Sequence, residues 1–390
     1  MFLTKITVLN FKNHEALSLD FSKKINCFIG KNGVGKTNIV DAVYYLCLTK
    51  SYFNSVDQQN ILFGKDFFRL EGRFMSNAGS RGGDPARTEA FEVVYKLPSN
   101  KRKELSVNGV VVPKLSDHIG NFPCIIISPD DSQLILGSSE ERRKFLDGTI
   151  SQINHEYLEW LITYNKVLAQ RNAALKRFAE TRHTDKHLLE TYDSQLIPLG
   201  TKIYEARKVV MQKLQPVFQK FYKEISLERE LVSFSYYSQL NDKPFSELLE
   251  SSLHRDVLLQ RTDVGIHKDD MEFFGPQTPK GGFNTKMKKF GSQGQQKSFI
   301  ISMKFAQYEM IKNGTNAGSR SGDPAEAVST KPVLLIDDIF DKLDNDRSQK
   351  LIELIASNEF GQVFLTDTDD AHIRETLKGR EDLFEVITVK

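Results

Sequence analysis

Residues 30–37 read Gly-Lys-Asn-Gly-Val-Gly-Lys-Thr and fit the pattern G-x-x-x-x-G-K-[ST] without a mismatch. A short apolar segment at residues 25–29 precedes them, and residues 38–46 have helical spacing. A glycine-rich turn between a strand and a helix lets backbone N–H groups converge on phosphate oxygens, and the helix N-terminus adds positive potential. The sequence therefore predicts a phosphate-binding loop formed by Gly30, Lys31, Asn32, Gly33, Val34, Gly35, Lys36, Thr37 and Asn38.

A nucleotide site also needs a carboxylate opposite such a loop. Lys36 would reach the β- and γ-phosphates, and the hydroxyl of Thr37 would ligate Mg²⁺. Residues 333–338 read Val-Leu-Leu-Ile-Asp-Asp, which predicts a buried strand that delivers acids to its carboxyl end. We expect Asp337 to hold Mg²⁺, directly or through water, and Asp338 to orient or activate the attacking water.

A second glycine-containing segment, Gly-Ser-Gln-Gly-Gln-Gln-Lys-Ser at residues 291–298, lies before the acidic strand and in front of a predicted helix. Its glycines and small hydroxyls would let the backbone approach a phosphate at that helix N-terminus. A polar helix cap is the simpler alternative. The acidic strand is followed by Phe-Asp-Lys-Leu-Asp at residues 340–344, and Thr366 ends the last strong strand.

The elements that must position these residues are of two kinds. The first 135 residues are rich in strand patterns, residues 138–230 have the spacing of long helices, and strands return near the end. We predict an α/β fold in which one lobe, with a mixed β-sheet and the phosphate loop, comprises residues 1–135 and 290–390. A mostly helical lobe or arm at residues 136–289 would be inserted between its halves, with helix breaks near Pro198 and Pro216. The sequence leaves open whether this insert only packs or acts as a functional arm.

Composition limits the alternatives. Lysine and arginine number 53 against 51 aspartate and glutamate, so any nucleic-acid surface must be local. Cys27, Cys47 and Cys124 lie in apolar surroundings and predict buried thiols in a reducing compartment. No apolar run of 18 residues and no signal-peptide layout is present, and we expect a soluble, cytoplasmic protein.

Residues 77–86 recur with one difference at residues 316–325. Both copies are rich in glycine, serine, aspartate and proline and cannot bury much apolar surface. We therefore predict flexible loop insertions at residues 76–88 and 315–330.

The order of these motifs resembles the ATP-binding-cassette (ABC) heads of the chromosome-maintenance and recombination class, and more closely the RecF family. The Arg-Arg-Lys-Phe-Leu-Asp, His-Lys-Asp-Asp and Ser-Gln-Gly-Gln-Gln segments distinguish that family from other cassette heads. The matching segments occur in the family's order at residues 9–13, 30–38, 128–131, 141–147, 170–175, 265–270, 291–297 and 334–344.

The resemblance implies an ATP-dependent dimer in which each ATP contacts the phosphate loop of one chain and the signature segment of the other. It assigns contacts in trans to Ser292, Gln293, Gly294 and Gln295, and a partner contact near the nucleotide to Asp344. Relatives often carry Ser-Glu-Leu-Asp where this chain has Asp-Lys-Leu-Asp at residues 341–344, so only the role of Asp344 carries over. Many cassette ATPases have glutamate at the position of Asp338, and the shorter side chain predicts slow hydrolysis.

The family further implies a weak DNA-dependent ATPase of recombinational repair and replication restart, with ATP and Mg²⁺ as cofactors. Such proteins bind duplex DNA and single/double-strand junctions, help RecO and RecR load RecA at gaps, and support SOS induction. No base-reading module is evident, so we expect binding without sequence specificity. Local basic sets that could contact DNA, or simply be solvated, are Lys96 with residues 101–103, Lys166 with Arg171 and residues 176–177, and Lys286 with residues 288–289.

Several assignments stay open on the sequence. His267 could hold a turn together or act at a site. Arg142 and Arg143 could form surface charge pairs, or contact another lobe or DNA. Thr366 occupies the place where many cassette transporters have a histidine that contacts the γ-phosphate, but could be an ordinary strand end. A small-molecule kinase is an alternative that leaves the signature segment unexplained, and a long chromosome-structuring head would need a much longer insert.

Overall fold

The structure is a computed structural model that describes residues 1–77, 88–98, 103–227, 230–275, 285–314, 331–339, 344–368, 373–375 and 377–389. Its strands are β1 (Phe2–Phe11), β2 (His14–Asp20), β3 (Ile25–Ile29), β4 (Phe67–Asn77), β5 (Thr88–Pro98), β6 (Glu104–Val107), β7 (Val110–Val111), β8 (Cys124–Ile127), β9 (Ser233–Tyr237), β10 (Asp270–Phe274), β11 (Val333–Ile336), β12 (Val363–Asp367) and β13 (Phe384–Thr388). Its α-helices are α1 (Lys36–Leu48), α2 (Gln133–Leu136), α3 (Ser139–Ile153), α4 (His155–Thr181), α5 (Lys186–Ile225), α6 (Phe245–Leu259), α7 (Met287–Phe290), α8 (Gln293–Gly314) and α9 (Asn345–Ala356).

The chain divides into two compact units. The first contains residues 1–131, 224–227 and 293–390, and the second contains residues 132–223 and 228–292. The first unit is therefore assembled from segments that are far apart in sequence, whereas most of the second is one continuous stretch.

The first unit contains a parallel sheet with strand order β13-β3-β12-β11-β8. Strands β3, β8, β11 and β12 are buried along their whole length, which explains why they read as continuous apolar runs. The register pairs Ile336 with both Leu365 and Ile127, and Asp367 with Ile29. The carboxyl ends of β3, β11 and β12 consequently meet at one edge, where the phosphate loop and the two acids emerge.

An antiparallel sheet with strand order β2-β1-β4-β5-β6-β7 completes the first unit. Its β6–β7 hairpin turns at Asn108 and Gly109, both at positive φ (52° and 77°), as the Asn-Gly pair predicts. Helix α1 contacts strands of both sheets, and every residue from Ile39 to Leu48 is buried. This helix, which starts at the phosphate loop, is thus fixed on all sides.

The second unit is mainly helical, with one two-stranded antiparallel pair, β9–β10. Helix α5 runs from Lys186 to Ile225 without a break, so the breaks expected near Pro198 and Pro216 are wrong. Buried side chains flank each proline: Leu196 and Ile203 about the first, Leu214 and Phe218 about the second. Their burial keeps one helical face in the core and outweighs the hydrogen bond that each proline removes.

The duplicated segments fall mostly outside the described residues. Ser76 and Asn77 belong to β4 and Thr88 begins β5, so these three positions are strand rather than loop. Residues 78–87 and 315–330 are not described. The cysteines Cys27, Cys47 and Cys124 are free and buried, as predicted. Across the described part of the chain, none of the helices is both long and apolar enough to span a membrane.

Candidate nucleotide site

The loop between β3 and α1 depends on glycine for two reasons. Gly33 and Gly35 have φ values of 87° and 103°, which L side chains rarely adopt. A Cβ on Gly35 would also lie 2.5 Å from the side-chain amide of Asn13 and 2.6 Å from Nε2 of His14. Gly35 is therefore required by its own backbone, and a side chain there would also displace the Asn13 and His14 side chains.

The β1–β2 turn braces the loop. Asn13 Nδ2 donates to the Val34 carbonyl at 3.1 Å, and His14 Nε2 lies 3.0 Å from the Gly35 carbonyl, which makes that nitrogen the donor. Asn38 Nδ2 donates to Asn13 Oδ1 at 2.7 Å. Sequence reasoning included Asn13 in a family segment but gave neither Asn13 nor His14 a role. The sequence feature that could have pointed to these two residues is the occurrence of two polar residues at the β1–β2 turn.

Lys36 is the first residue of α1, and its side chain turns back into the loop. The Lys36 ammonium donates to the carbonyls of Gly30 at 2.7 Å and Lys31 at 3.1 Å, and the residue is only 9% exposed. Its charge is thus held inside the loop rather than in bulk water. The helix N-cap, Gly35, offers no side-chain acceptor to the first turn. Phosphate oxygens fit this helix end because its first N–H groups need acceptors and its dipole favours negative charge.

Thr37 and Asp337 bring the two halves of the site together. Thr37 Oγ1 lies 2.9 and 3.1 Å from the two carboxylate oxygens of Asp337. Thr366 Oγ1 donates to Asp337 Oδ1 at 2.8 Å. Burial raises the pKa of Asp337, an effect that the Thr366 and Thr37 hydrogen bonds oppose. A carboxylate in this position gains by binding a cation that offsets its desolvation.

Asp338 has a different environment. It is exposed and adopts φ 48°, a left-handed conformation that aspartate tolerates better than most residues. Its backbone N–H donates to Thr366 Oγ1 at 2.9 Å. Thr366, 2% exposed, therefore orients Asp337 through its hydroxyl hydrogen and Asp338 through its oxygen. Thr366 thus fixes the positions of both acidic residues from the neighbouring strand β12.

The donor set fits Mg²⁺ held jointly with a nucleotide. Thr37 supplies a hydroxyl and Asp337 a carboxylate on adjacent strand and helix ends. No group of three or more His, Cys, Asp or Glu residues that could hold a metal is found among the described residues. Mg²⁺ is commonly bound by one or two protein oxygens together with phosphates and water. Thr37 and Asp337 would hold the ion, which would neutralise charge on the phosphates.

The signature segment lies at the start of α8. Ser292 and Gln293 are exposed, and Gly294 and Gln295 are half-buried. A Cβ on Gly294 would lie 3.6 Å from Nη1 of Arg347. The contacts predicted for these residues lie in trans and stay a proposal.

Asp344 caps helix α9. Its Oδ1 accepts from the Arg347 backbone N–H at 2.9 Å, and its Oδ2 lies 3.3 Å from Arg347 Nε. The Arg347 guanidinium also donates to Ser298 Oγ of α8 at 2.7 Å. The Asp344 side chain remains 54% exposed, which leaves it accessible to a partner. Residues 340–343 lie outside the described residues.

A buried charge network that the sequence did not reveal joins α8 to the end of β8. Lys304 Nζ lies 2.5 Å from Asp131 Oδ1 and donates to the Ile126 carbonyl at 3.0 Å. Tyr52 OH donates to Asp131 Oδ1 at 2.5 Å, and Asp131 Oδ2 accepts from the Ser128 N–H at 2.8 Å. Lys304 and Asp131 are 5% and 6% exposed. In the sequence, Lys304 looks like an ordinary helical lysine, and nothing near it indicates that it pairs with Asp131.

The arginines of the second unit whose roles the sequence left open make contacts within that unit. Arg142 makes a bidentate pair with Asp270 at 2.6 and 3.1 Å, and Arg143 donates to the Asp269 carbonyl at 2.6 Å. Arg171 is fully buried; its guanidinium pairs with Asp193 at 2.7 Å and Asp256 at 2.6 Å. The suggestion that Arg171 belongs to a DNA-contacting set is therefore wrong, because its charge is already neutralised away from solvent.

His267 holds its own turn. Nε2 lies 3.1 Å from the Thr262 carbonyl, so it is the protonated nitrogen, and Nδ1 accepts from Tyr164 OH at 3.0 Å. Burial lowers the pKa of His267 to about 4. The neutral ring is thus part of the packing of this unit.

Comparison with known proteins agrees with this geometry. The model of the RecF/RecN/SMC N terminal domain matches residues 2–389. The DNA replication and repair protein RecF of Flavobacterium johnsoniae is 41% identical over 389 residues, with 100% of both chains covered. The RecF of Bacteroides thetaiotaomicron is 38% identical, covering 100% of this chain and 97% of the relative.

Solved structures show the same fold. The recombination mediator protein RecF-ATP in the RecFOR pathway is 26% identical, with a TM-score of 0.79 and coverage of 95% of this chain and 92% of that one. The Smc head domain of Pyrococcus furiosus is 17% identical, with a TM-score of 0.54 and coverage of 100% and 94%. The fold is that of an ABC-type ATPase head. On the family match and the full-length relatives, this chain belongs to the RecF family.

Proposed function

We propose that this chain is an ATP-dependent DNA-binding protein of recombinational repair and replication restart. The observation that carries the proposal is the Thr37–Asp337 contact, which joins the phosphate loop to the acidic strand end in one site. The full-length similarity to RecF proteins, including one solved as RecF-ATP, supports ATP as the nucleotide. Residues 30–38 bind its phosphates, and Thr37 with Asp337 holds Mg²⁺.

ATP acts in this proposal as a dimerisation switch. The exposed Ser292 and Gln293, with Gly294 and Gln295, contact the γ-phosphate held by a partner chain, and Asp344 contacts the partner beside it. A γ-phosphate that bridges two chains stabilises the dimer by mass action, and hydrolysis removes the bridge. Asp338 orients the attacking water, and its short side chain makes hydrolysis slow.

The dimer binds duplex DNA and single/double-strand junctions without sequence specificity. By analogy with RecF proteins, it helps RecO and RecR load RecA at gaps, supports SOS induction and works in the cytoplasm. A kinase acting on small molecules receives no support from the family match.

Light scattering with and without ATP tests the switch. Wild-type chain should shift from monomer to dimer with ATP, and Lys36→Met should stay monomeric because the loop loses its internal cation. Binding of labelled duplex, gapped and single-stranded DNA, measured by fluorescence anisotropy at several salt concentrations, tests the substrate. Monomers under saturating ATP, or no DNA binding at low salt, would contradict the corresponding half of the proposal.

A further inference from the structure

Asp41 carries a buried charge in the second turn of helix α1, the helix that begins at the phosphate loop. Its carboxylate is fully buried, and the ammonium of Lys12 lies 2.6 Å from Oδ2. Oδ2 also accepts from Ser51 Oγ at 2.6 Å, and Oδ1 accepts from the Tyr52 N–H at 2.7 Å. A buried carboxylate needs such partners to offset its lost hydration. Asp41 therefore joins three segments: α1 itself, the residue after β1 and the chain that follows α1.

Lys12 has an unusual backbone conformation. Its φ is 53°, in the left-handed region that lysine rarely adopts, and a residue keeps such a conformation only where surrounding contacts fix it. Its N–H donates to the Asn60 carbonyl at 2.8 Å. Its ammonium, paired with Asp41, also lies over the ring of Phe53 at 5.2 Å from the centroid. The backbone strain is thus located directly before the turn that contacts the phosphate loop.

The two residues that follow Lys12 hold the loop. The side chains of Asn13 and His14 bond to two loop carbonyls at 3.1 and 3.0 Å, and Asn13 also accepts from Asn38 of α1 at 2.7 Å. Where these side chains point depends on how Lys12 turns the chain. Because Lys12 is paired with Asp41 of α1, the ion pair ties the turn to the helix that follows the loop. These contacts close a ring that runs from Asp41 through Lys12 and the turn to the loop, and back into α1.

We propose that Lys12 and Asp41 are positioning residues whose ion pair keeps the phosphate loop in its ATP-binding conformation before ATP arrives. The inference rests on the proposed ATP binding and adds two residues to it. The pair acts through Asn13 and His14 rather than by touching ATP, since the Lys12 side chain is only 10% exposed and its charge is used by Asp41. A loop that is already ordered loses less conformational freedom when ATP binds, so the pair raises the affinity for ATP.

The test is a double variant of the full-length chain, Lys12→Met with Asp41→Asn. It removes the ion pair without leaving a buried unpaired charge, and the amide at position 41 can still accept from the Tyr52 N–H. Lys12→Gln is a milder second variant, because it keeps a donor for Asp41 but no charge. Lys12→Arg keeps both the donor and the charge and should restore wild-type behaviour. Circular dichroism checks that each chain is folded.

A matched control, Lys103→Met with Asp57→Asn, removes an ion pair at 2.5 Å near the other end of α1. Lys103 also donates to the carbonyl of Thr49, which follows α1, and Asp57 accepts from the hydroxyl of Tyr45 on α1. The control therefore makes the same change in charge beside the same helix, but away from the phosphate loop.

Three measurements are made on each chain: ATP affinity by titration calorimetry, turnover over a range of ATP concentrations, and hydrogen exchange of residues 30–38 without ATP. If the loop of the double variant is in its ATP-binding conformation about one tenth of the time, its Kd for ATP rises about tenfold. Its KM should rise likewise, while kcat at saturating ATP stays near wild type. Exchange in the loop should be faster, because the loop opens more often. Lys12→Gln should show smaller changes of the same kind, and the control should match wild type.

Unchanged affinity and exchange in both Lys12 variants, or equal changes in the control, would overturn the positioning role. A loss of affinity without faster exchange would also overturn it, and would make Lys12 a direct contact of the phosphates. Asn13→Ala with His14→Ala, added to the double variant, should cost little further affinity, because both changes act through the same contacts. Additive losses would overturn that route. All these outcomes leave the proposed function standing, whereas a wild-type chain that binds no ATP would overturn it as well.

Discussion

Thr37 donates a hydrogen bond to Asp337 at 2.9 Å although the two residues are 300 positions apart in the chain. One belongs to the first turn of α1 and the other follows β11, and the parallel sheet brings both to its carboxyl edge. The contact shows that the site is formed by the completed fold, because no local segment contains both groups. The part that this contact plays in nucleotide binding can be tested by substitution of Thr37 or Asp337.

Thr37→Val keeps the shape of the side chain and removes the hydroxyl. We expect ATP affinity in the presence of Mg²⁺ to fall ten- to a hundredfold, since one ligand and one hydrogen bond to a charged group are lost, at about 1.5–3 kcal/mol. Affinity without Mg²⁺ should change little. Titration calorimetry with and without Mg²⁺ measures both values.

Thr366→Val is the control for this prediction. Thr366 is buried and bonds to Asp337 but is not one of the two proposed Mg²⁺ ligands, so the loss of Mg²⁺ dependence should be smaller than in Thr37→Val. A Thr37→Val chain whose ATP affinity still rises fully with Mg²⁺ would show that Thr37 is not a ligand.

Asp338→Asn separates hydrolysis from nucleotide binding. Asparagine has the same shape and also tolerates the left-handed φ of 48° found here, so the backbone should not move. Without the carboxylate, turnover should fall by about 10²- to 10⁴-fold, the usual contribution of a general base. ATP affinity should be unchanged and the ATP-induced dimer should persist longer.

Phosphate release and light scattering on the same samples measure the two effects. Lys36→Met serves as the contrast, because it should lose dimer and turnover together. Unchanged turnover in Asp338→Asn would move the water-orienting role to another residue.

The parts of the site that sequence predicted are those with a strong local pattern. The loop at residues 30–37 and the apolar run ending in Asp337 each carry their own signal, and parallel β-strands then force their ends together. The Asn-Gly turn at residues 108–109 was likewise predictable, because its backbone demands positive φ. Local chemistry is enough where one segment fixes its own conformation.

The rest depends on how the completed fold buries each residue and on which side chains it brings together. Pro198 and Pro216 predict helix breaks, yet buried neighbours on α5 hold the helix continuous. Gly35 reads as a phosphate-loop glycine, but its close contact is with Asn13 of another turn. Arg171 reads as a surface cation and is buried between two aspartates. For Gly35 and Arg171 the deciding partners lie in other segments, and for the two prolines the deciding factor is how the completed fold buries one face of α5.

His267 makes stability depend on pH. Its folded-state pKa is about 4, against about 6.5 in an unfolded chain, because burial disfavours the imidazolium. Between these values the unfolded state binds a proton that the folded state does not. Stability is therefore complete above about pH 6.5 and falls as the pH drops towards 4. Urea unfolding of the wild type between pH 7 and pH 5 should show this decline.

His267→Gln isolates that contribution. The glutamine amide can donate to the Thr262 carbonyl and accept from Tyr164 OH, as the neutral ring does, but it does not titrate. The variant should lose less stability than the wild type over the same pH range, even if it is slightly less stable at pH 7. Parallel pH profiles for the two chains would exclude His267 as the titrating group.

Lys304→Met tests the buried pair between α8 and the end of β8. The substitution leaves the Asp131 carboxylate buried without its cation, which costs about 3–5 kcal/mol in comparable cases. Asp131→Asn in the same chain removes the orphaned charge while keeping an acceptor for the Ser128 N–H. The double variant should therefore be more stable than Lys304→Met alone, with a coupling of at least about 1 kcal/mol in a double-mutant cycle.

Urea unfolding of the four chains measures this coupling, and additive losses would show that the two charges do not depend on each other. Because Lys304 lies on the helix that begins at the signature segment, the single variant should also weaken the ATP-induced dimer more than it weakens ATP binding.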